Sequence, residues 1–242
     1  MTRAPASKSA GNDHPENVRA GSIDSRHLLL VGAGPGLGAA IAHRFAFGGY
    51  RVTLVARSAD RLAELAKGLD DTGAEVDTVE ADASSPEELR ARMADLYSDK
   101  GAPGVVIYNA VLGAPDHLLS STVTHLQEAY AVDVIGAIVV AQEAAPAMRA
   151  AGSGTMIVTG GGFADHPIPA LATVSLGKAA LRSAAAMLGA DLSPDGIRVA
   201  TLTIAGQIAA GTAFDPARIA ERYWEIVQMT GPWQAEFRFT GE

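Results

Sequence analysis

The sequence contains no cysteine, which excludes disulfide bonds, thiolate catalysis and zinc sites with cysteine ligands. Six histidines are present, but none has the spacing of a metal site such as H-E-x-x-H. No apolar run approaches the roughly 20 residues that a membrane-spanning helix needs. Aromatic residues make up only 5% of the chain, whereas alanine and glycine are abundant. This composition suits close packing of helices on a sheet better than an aromatic-rich β-sandwich.

Basic residues are in the minority, with 19 lysines and arginines against 27 acidic residues and no long basic cluster. The net charge of −8 argues against nucleic acid or an anionic membrane as the main partner, and we interpret the acidity as serving solubility. Residues 1–26 have no apolar segment of the kind found in a signal peptide, so we expect a cytoplasmic protein. Their polar composition predicts a flexible tail, and residues 27–242 predict one folded domain.

Short apolar runs alternate with helical patterns along the whole of 27–242. The runs predict strands at 27–31, 50–56, 74–80, 105–108, 155–159, 197–202 and 236–239. The intervening segments predict helices, the longest of them at 123–148 and 173–192. Such alternation is typical of an α/β fold, because parallel strands need crossover helices. We therefore predict a single Rossmann-type, doubly wound parallel sheet of about seven strands with helices on both faces.

A glycine-rich turn at residues 31–38, with the sequence VGAGPGLG, lies between the first predicted strand and the first predicted helix. Glycines without a Cβ atom let the backbone turn tightly and approach a pyrophosphate, whose charge then lies at the helix N-terminus. Because the strand and the helix flank the turn in the required order, the pattern favours a bound dinucleotide over an ordinary turn.

The predicted ligand site lies beyond the carboxyl ends of the strands, where open parallel sheets bind their ligands. Arg57 follows the second strand, about 20 residues beyond the glycine turn. An acid at this place would bind the ribose of NAD, whereas an arginine can bind the 2′-phosphate of NADP. The sequence therefore favours NADP, with NAD less favoured and with a solvated surface arginine as the alternative interpretation of Arg57.

Over essentially all of 27–242 the chain resembles the short-chain dehydrogenase/reductase family. The glycine turn matches the family's T-G-x-x-x-G-x-G motif, with valine in place of threonine, and Asp82 matches its adenine-contacting aspartate. Residues 108–111 match the N-N-A-G motif at two of four positions, and residues 133–136 correspond to N-V-x-G.

The resemblance implies a nicotinamide dinucleotide cofactor. The residues that it assigns to cofactor binding are Gly32, Gly34, Pro35, Gly36, Leu37, Gly38, Arg57, Asp82, Ala83, Asn109, Lys178 and Ile208.

The chain departs from the family's catalytic pattern. The family's Y-x-x-x-K motif corresponds to residues 174–178, so Val174 replaces the tyrosine that transfers the proton, and Lys178 is retained. The family's catalytic serine corresponds to Gly161, and its catalytic asparagine to Asp133. General acid–base assistance is typically worth about 10²–10⁴-fold, so these replacements predict weak activity in the family's usual carbonyl reduction.

Three functional hypotheses follow. The first is an atypical NADP-dependent oxidoreductase acting on a small organic substrate, with Lys178, His166, Asp133 or water as the proton source. In the alternative interpretations, His166 is a solvated loop residue, and Asp133 pairs with Lys178 or lies on a helix surface. The second hypothesis is a dinucleotide-binding sensor or partner subunit without redox chemistry. The third is a non-redox enzyme, such as a cyclase or isomerase.

The family resemblance also gives expectations about the substrate pocket and about contacts with further copies of the chain. Residues 207–214 belong to a segment that is longer in the family, and its shortness predicts an open pocket or one completed by another subunit. The alanine-rich helices near 137–150 and 173–190 suit either a contact with a second copy, as in the family's dimers and tetramers, or plain packing on the sheet. We expect a small-molecule substrate and a homodimer or homotetramer, and neither nucleic acid nor a membrane as a partner.

Overall fold

Seven parallel strands form one sheet in the computed structural model, which describes residues 23–242. The strands are β1 (Asp24–Val31), β2 (Arg51–Ala56), β3 (Val76–Glu80), β4 (Pro103–Tyr108), β5 (Gly154–Gly161), β6 (Ile197–Ile204) and β7 (Glu236–Phe239). Their order across the sheet is β3-β2-β1-β4-β5-β6-β7, and every neighbouring pair is parallel. The predicted doubly wound sheet is confirmed, and its strand order reverses between β1 and β4, where such sheets bind ligands.

The start of β1 differs from the sequence-based boundary. Residues 1–22 of the predicted tail lie outside the described part of the chain, but the strand already begins at Asp24 rather than at His27. The backbone N–H of Asp24 donates a hydrogen bond to the carbonyl oxygen of Ala102 at 3.0 Å. Residues 24–26 are polar and do not continue the apolar run that predicted the strand. A strand end near solvent needs no apolar side chains, so the apolar pattern does not show this extension.

Helices cover both faces of the sheet. They are α1 (Leu37–Phe47), α2 (Ala59–Lys67), α3 (Pro86–Lys100), α4 (Val123–Tyr130), α5 (Gly136–Ala151), α6 (Ala172–Leu192) and α7 (Pro216–Gln228). The buried residues of α1, α2 and α7 pack on one face, and those of α3, α5 and α6 pack on the other. Because both faces are covered, central strands are apolar throughout, and all residues of β4 are buried.

The helix predicted at 123–148 is present, but a π-helical turn at Ala131–Ile135 separates α4 from α5. Within this turn the carbonyl oxygen of Val132 accepts a hydrogen bond from the hydroxyl of Tyr108 on β4. Gly136 makes room for that hydroxyl, since a Cβ atom there would lie 2.3 Å from it. The π-helical turn therefore depends on a tertiary contact, which the helical periodicity of the sequence does not show. Single π-helical turns inside α-helices are often found at functional sites.

The combined helix Val123–Ala151 is long and apolar enough to cross a membrane by length and composition, although no uninterrupted apolar run in the sequence suggests this. In the structure, 67% of its most apolar stretch is buried inside the protein. The buried apolar side chains of α5 belong to the same core cluster as those of the sheet and α3.

His27 on β1 is completely buried, with its Nε2 atom 2.8 Å from the hydroxyl of Thr53 and its Nδ1 atom without a hydrogen-bond partner. Burial, helped by the nearby charge of Arg51, lowers the pKa of His27 from 6.5 to about 4. Between these two pH values the unfolded chain takes up a proton that the native protein does not. The contribution that neutral His27 makes to the free energy of unfolding is therefore fully present above pH 6.5 and is lost as the pH falls towards 4.

We expect this titration to lower the free energy of unfolding by about 3 kcal/mol between pH 7 and pH 4. Urea unfolding of the native chain and of His27→Gln at a series of pH values tests the expectation. Glutamine keeps a donor for Thr53 but does not titrate, so the stability difference between the two proteins should change over this range. Parallel pH profiles would show that His27 makes no such contribution.

Candidate cofactor and active site

The glycine turn begins where β1 ends, and it is fixed to the neighbouring strands. The N–H groups of Gly32 and Ala33 both donate to the carbonyl oxygen of Val55 at the end of β2. Gly32 has a φ of +87°, and a Cβ atom there would lie 2.2 Å from the backbone nitrogen of Ala110. Asn109 adds a hydrogen bond from its Nδ2 atom to the carbonyl oxygen of Gly32, at 3.0 Å. Only glycine fits this first position of the turn.

The middle of the turn is open. A Cβ atom added at Gly34 or Gly36 would meet no atom within 4 Å, so the backbone there faces free space. Gly36 is the N-cap of α1, and no side chain caps the helix. Gly38 in the first turn of the helix packs instead against Ala33, with the added Cβ 3.1 Å away. An uncapped helix N-terminus behind an open glycine backbone is a suitable place for a phosphate group.

A crevice of about 300 Å³, here called the turn crevice, extends from this turn along the carboxyl ends of β1, β2, β3 and β4. It brings together most of the predicted cofactor residues: Gly32, Gly34, Pro35, Arg57, Asp82, Ala83 and Asn109. Leu37 and Gly38 lie behind it as buried residues of the first turn of α1. The crevice lies at the carboxyl ends of the strands and is lined by Gly32 and Gly34, as expected for the predicted dinucleotide site.

Two arginines lie at the mouth of the turn crevice, although sequence reasoning identified only one of them. Arg57 is exposed, and neither its guanidinium group nor that of Arg61 forms an ion pair with any residue that the structure describes. The side chain of Ser58 caps α2 by accepting from the N–H of Arg61, which places both arginines at one end of that helix. The position of Arg61 in the first turn of α2, just after the serine cap, was the sequence signal for it.

Lys178 on α6 is connected to the glycine turn by hydrogen bonds. Its Nζ atom donates to the carbonyl oxygen of Thr159 on β5 at 2.7 Å. The hydroxyl of Thr159 donates to Oδ1 of Asn109 at 2.9 Å and lies 2.7 Å from the hydroxyl of Tyr223. Asn109 completes the connection through its bond to Gly32. Thr159 and Tyr223 were not predicted, because their role depends on neighbouring strands and on a helix 64 residues away.

Burial controls the charge of Lys178, which is only 8% exposed. Burial lowers the pKa of Lys178 from 10.5 to about 8, and the charge of Asp133 acts in the opposite direction. The lysine forms no ion pair within the described part of the chain, so the predicted pairing with Asp133 does not occur as a direct contact.

Asp133 lies in the π-helical turn and is 3% exposed, so its interpretation as a helix-surface residue is wrong. Its Oδ1 atom accepts from the N–H of Leu112 at 2.7 Å, and its Oδ2 atom has no partner. Burial raises the pKa of Asp133, although the bond from Leu112 and the charge of Lys178 lower it. Gly177 on α6 makes this burial possible, because a Cβ atom there would lie 2.7 Å from the carboxylate.

Val174 and Gly161 leave the surroundings of Lys178 without a hydroxyl group. Val174 is buried one helical turn before Lys178, on the same face of α6. Gly161 ends β5, and a Cβ atom there would lie 3.6 Å from Cγ of Lys178 and 3.7 Å from the ring of Phe163, which are ordinary contact distances. The wall beside the lysine is therefore apolar and has room for a small side chain.

The remaining predicted site residues lie outside the turn crevice. His166 is exposed in the loop after β5, and its backbone N–H donates to the carbonyl oxygen of Gly162. Its ring makes no hydrogen bond among the residues described. Ile208 is exposed in the loop after β6. In that loop Phe214 packs against Gly206 and Phe239, so the short segment folds back on the domain.

Sequence comparisons place the chain among known proteins. A family model described as short chain dehydrogenase matches residues 26–213. The 3-dehydrosphinganine reductase of Arabidopsis thaliana is 32% identical over 129 residues, which cover 53% of this chain and 38% of that protein. An uncharacterized oxidoreductase of Mycobacterium tuberculosis is 29% identical over 173 residues, covering 71% of this chain and 66% of the relative. The chain thus matches less than two thirds of the length of these relatives.

Solved structures share the fold. The L-sorbose reductase of Gluconobacter frateurii, complexed with NADPH and L-sorbose, superposes with a TM-score of 0.73 at 30% identity, covering 78% of this chain and 72% of that one. An alcohol dehydrogenase of Thermococcus sibiricus, complexed with 5-hydroxy-NADP, gives a TM-score of 0.79 at 24% identity and covers 90% and 97% of the two chains. With the sheet order, the glycine turn and the family match all in agreement, this chain belongs to the short chain dehydrogenase family of oxidoreductases.

Proposed function

We propose that the chain binds NADP in the turn crevice. The open backbone at Gly34 and Gly36 suits the pyrophosphate, and the guanidinium groups of Arg57 and Arg61 suit the 2′-phosphate. Asp82 and Ala83 line the part of the crevice beyond β3, which suits the adenine. The L-sorbose reductase, at 30% identity, was solved with NADPH, which supports a nicotinamide dinucleotide in this family member as well.

The nicotinamide half of the cofactor is expected near Lys178. Asn109 fixes the turn and, through Thr159, the backbone group that holds the Nζ atom of Lys178. An ammonium or amine at this place suits the hydroxyl groups of the nicotinamide ribose. Ile208 stays a prediction as a cofactor-binding residue. When bound, the reduced cofactor supplies a hydride.

We propose further that the chain is an NADP-dependent oxidoreductase of small organic substrates in which Lys178 donates the proton. The observation that carries this proposal is the buried Lys178 connected to the glycine turn through Asn109 and Thr159. With a pKa of about 8, Lys178 holds a proton at neutral pH and can also release it. Asp133 is the next candidate because its buried carboxyl has a raised pKa, and exposed His166 is the third.

Turnover tests this proposal directly. We expect the chain to oxidise NADPH in the presence of some aldehydes, ketones, imines or enones, as followed by loss of NADPH absorbance. Lys178→Ala should abolish the activity, whereas His166→Ala should change it little if the lysine is the donor. Turnover that survives both substitutions would contradict the assignment of either residue.

A second candidate function is a dinucleotide-binding sensor or partner subunit without turnover. Val174 and Gly161 favour it, because neither side chain can transfer a proton or bind a carbonyl oxygen. Tight binding of NADPH with no oxidation by any carbonyl compound would support this function over the first.

Arg57→Asp is expected to weaken NADPH binding about 10- to 100-fold and to leave NADH binding nearly unchanged, because it removes charge-assisted hydrogen bonds to the 2′-phosphate. Isothermal titration calorimetry with both dinucleotides provides the measurement. Arg92→Asp on the exposed face of α3 is the matched control, since it changes the net charge equally at a distant surface. An unchanged preference for NADPH over NADH in Arg57→Asp would show that Arg57 does not bind the 2′-phosphate.

We also propose that the chain forms a homodimer or homotetramer through α4 and α6. Exposed apolar side chains cluster there, and two apolar grooves of about 520 and 650 Å³ share Leu118 and Leu176. Exposed patches of this kind usually mark an interface. Light scattering should give the mass of an oligomer for the native chain, and Leu176→Lys should reduce it.

A further inference from the structure

Residues 109–121, here called the β4–α4 loop, connect β4 to α4 without a helix or strand of their own in the described structure. Most of these residues are exposed, and one isolated bridge pairs Asp116 with Leu171. Hydrogen bonds hold the loop to other elements at Asn109, Leu112 and Asp116. The position of the loop therefore depends on a small number of contacts.

The first part of the β4–α4 loop is a wall of the turn crevice, since residues 109–112 all line it. Asn109 donates to the carbonyl oxygen of Gly32 at 3.0 Å. The N–H of Leu112 donates to Oδ1 of Asp133 in the π-helical turn at 2.7 Å. A dinucleotide in the crevice would therefore contact the loop directly.

Asp116 joins the same loop to two helices. Its Oδ1 and Oδ2 atoms accept from the backbone N–H of Thr173 in the first turn of α6, at 3.2 and 3.3 Å. Its Oδ2 atom also lies 3.1 Å from Nε2 of His125 in α4, and its own N–H donates to the carbonyl oxygen of Ala170. The side chain of Asp116 is 5% exposed, so these contacts are largely shielded from water.

The start of α6 depends on this carboxylate. Leu171 occupies the N-cap position of α6 without a side-chain hydrogen bond, and the first turn contains no acidic residue. The carboxylate of Asp116 provides what the helix lacks, because it accepts from an N–H group at the helix N-terminus and its negative charge is favourable beside the helix dipole. A loop distant in sequence thus caps the helix that carries Lys178.

Beyond Asp116 the β4–α4 loop reaches the face of α4 and α6 that carries the two apolar grooves, here called the α4–α6 face. Leu118 lines both grooves, and His117 and Leu119 line the larger one. One loop therefore lines the turn crevice at its beginning, caps α6 in its middle and shapes the α4–α6 face near its end.

Two sites are coupled when a ligand at one of them changes how firmly a shared element is held at the other. We propose that the β4–α4 loop, through Asp116, couples occupancy of the turn crevice to the α4–α6 face. In one state the carboxylate of Asp116 docks the loop on α6, and in the other the loop is released. A bound dinucleotide favours the docked state, because residues 109–112 then complete the wall of its site. This inference rests on the proposed binding of NADP and adds the regulation of the α4–α6 face by it.

Calorimetry with NADPH measures the coupling from the side of the loop. Asp116 does not line the turn crevice, yet Asp116→Ala is expected to weaken NADPH binding about fivefold or more, because the dinucleotide must then order the loop by itself. Asp116→Asn keeps an oxygen that accepts from Thr173 but loses the charge, so its loss of affinity should be smaller. Unchanged NADPH affinity in Asp116→Ala would overturn the proposal.

Asp77→Ala is the matched control. Asp77 is a partly buried aspartate near the start of β3, and it accepts hydrogen bonds from Arg51 on β2 and forms an ion pair with Lys100 of α3. Its removal also breaks contacts between separate elements, but at the end of the strands opposite to the turn crevice. This variant should lose stability to urea and keep the native NADPH affinity. Equal weakening of NADPH binding in both variants would show a general loss of stability and overturn the coupling.

Hydrogen exchange followed by peptide mass spectrometry shows how far the effect of NADPH extends. In the native chain NADPH should slow amide exchange about fivefold or more at residues 172–176, the first turn of α6, which lies outside the turn crevice. In Asp116→Ala saturated with NADPH, exchange at 172–176 should not slow, whereas the glycine turn at 31–38 should still be protected. Protection of 31–38 without protection of 172–176 in the native chain would overturn the proposal.

Calorimetry on the native chain separates this inference from the proposed function. A native chain that binds no NADPH would contradict the cofactor assignment and the coupling together. A native chain that binds NADPH without slower exchange at 172–176 would overturn the coupling alone and leave the cofactor assignment intact. If Asp116→Ala fails to fold, as judged by circular dichroism, Asp116→Asn and the exchange of the native chain decide the question.

Discussion

The double variant Gly161→Ser/Val174→Tyr is expected to reduce ketones with NADPH at least about 100-fold faster than the native chain, since general acid–base assistance is worth about 10²–10⁴-fold. A tyrosine at 174 lies one helical turn before Lys178 on the same face of α6, so the ammonium can stabilise the phenolate. A serine at 161 fits without displacing a neighbour, because its Cβ atom would make contacts no shorter than 3.6 Å. Steady-state NADPH oxidation with a panel of ketones measures the gain.

Met187→Tyr is the matched control for this prediction. Met187 is exposed on the opposite face of α6, so a phenol there does not reach Lys178. The control should keep the native rate. A double variant that folds and binds NADPH but gains no activity would show that the pocket around Lys178 does not place a carbonyl group against the cofactor.

Gly32→Ala is expected to lower the free energy of unfolding by more than about 3 kcal/mol. The methyl group would lie 2.2 Å from the backbone nitrogen of Ala110, and neither backbone can move without breaking the bonds that hold the turn to β2 and to Asn109. The φ of +87° adds strain for any residue with a Cβ atom. Urea unfolding followed by circular dichroism gives the stability, and calorimetry shows whether NADPH still binds.

Gly34→Ala provides the comparison within the same turn. A methyl group there meets no atom within 4 Å, so stability should stay within about 0.5 kcal/mol of the native value. Binding of NADPH should nevertheless weaken, because the methyl group occupies the space through which the pyrophosphate approaches the backbone. Equal stability of the two variants would contradict the role given to Gly32, and unchanged NADPH affinity in Gly34→Ala would contradict the proposed position of the pyrophosphate.

The two pairs of variants address the two halves of the site separately. The variants of the glycine turn test the proposed binding of the cofactor. The variants around Lys178 test the proposed reaction. Hydrogen bonds through Asn109 and Thr159 connect the glycine turn with Lys178. A substitution in the turn is therefore expected to change the position of Lys178, and a substitution of Lys178 is expected to change the turn.

Local sequence patterns predict the architecture and the position of the proposed cofactor site. Strand and helix patterns have fixed periods, so their alternation identifies a parallel sheet and its crossover helices. The turn at 31–38 is recognised from its glycines and from the strand and helix beside it, because all three are contiguous in the sequence. Arg57 was found in the same way, since it directly follows a predicted strand.

The protonation and the contacts of the residues around Lys178 follow from the tertiary structure. Asp133 has the same neighbours in sequence whether it is exposed or buried, and its close packing against Gly177 of α6 accompanies its burial in the structure. Lys178 has its lowered pKa because β5 and α6 enclose it, and Thr159 holds it from a different strand. Burial and charge depend on groups distant in the chain, which sequence spacing does not encode. For that reason the residues could be named in advance, but their protonation and their contacts could not.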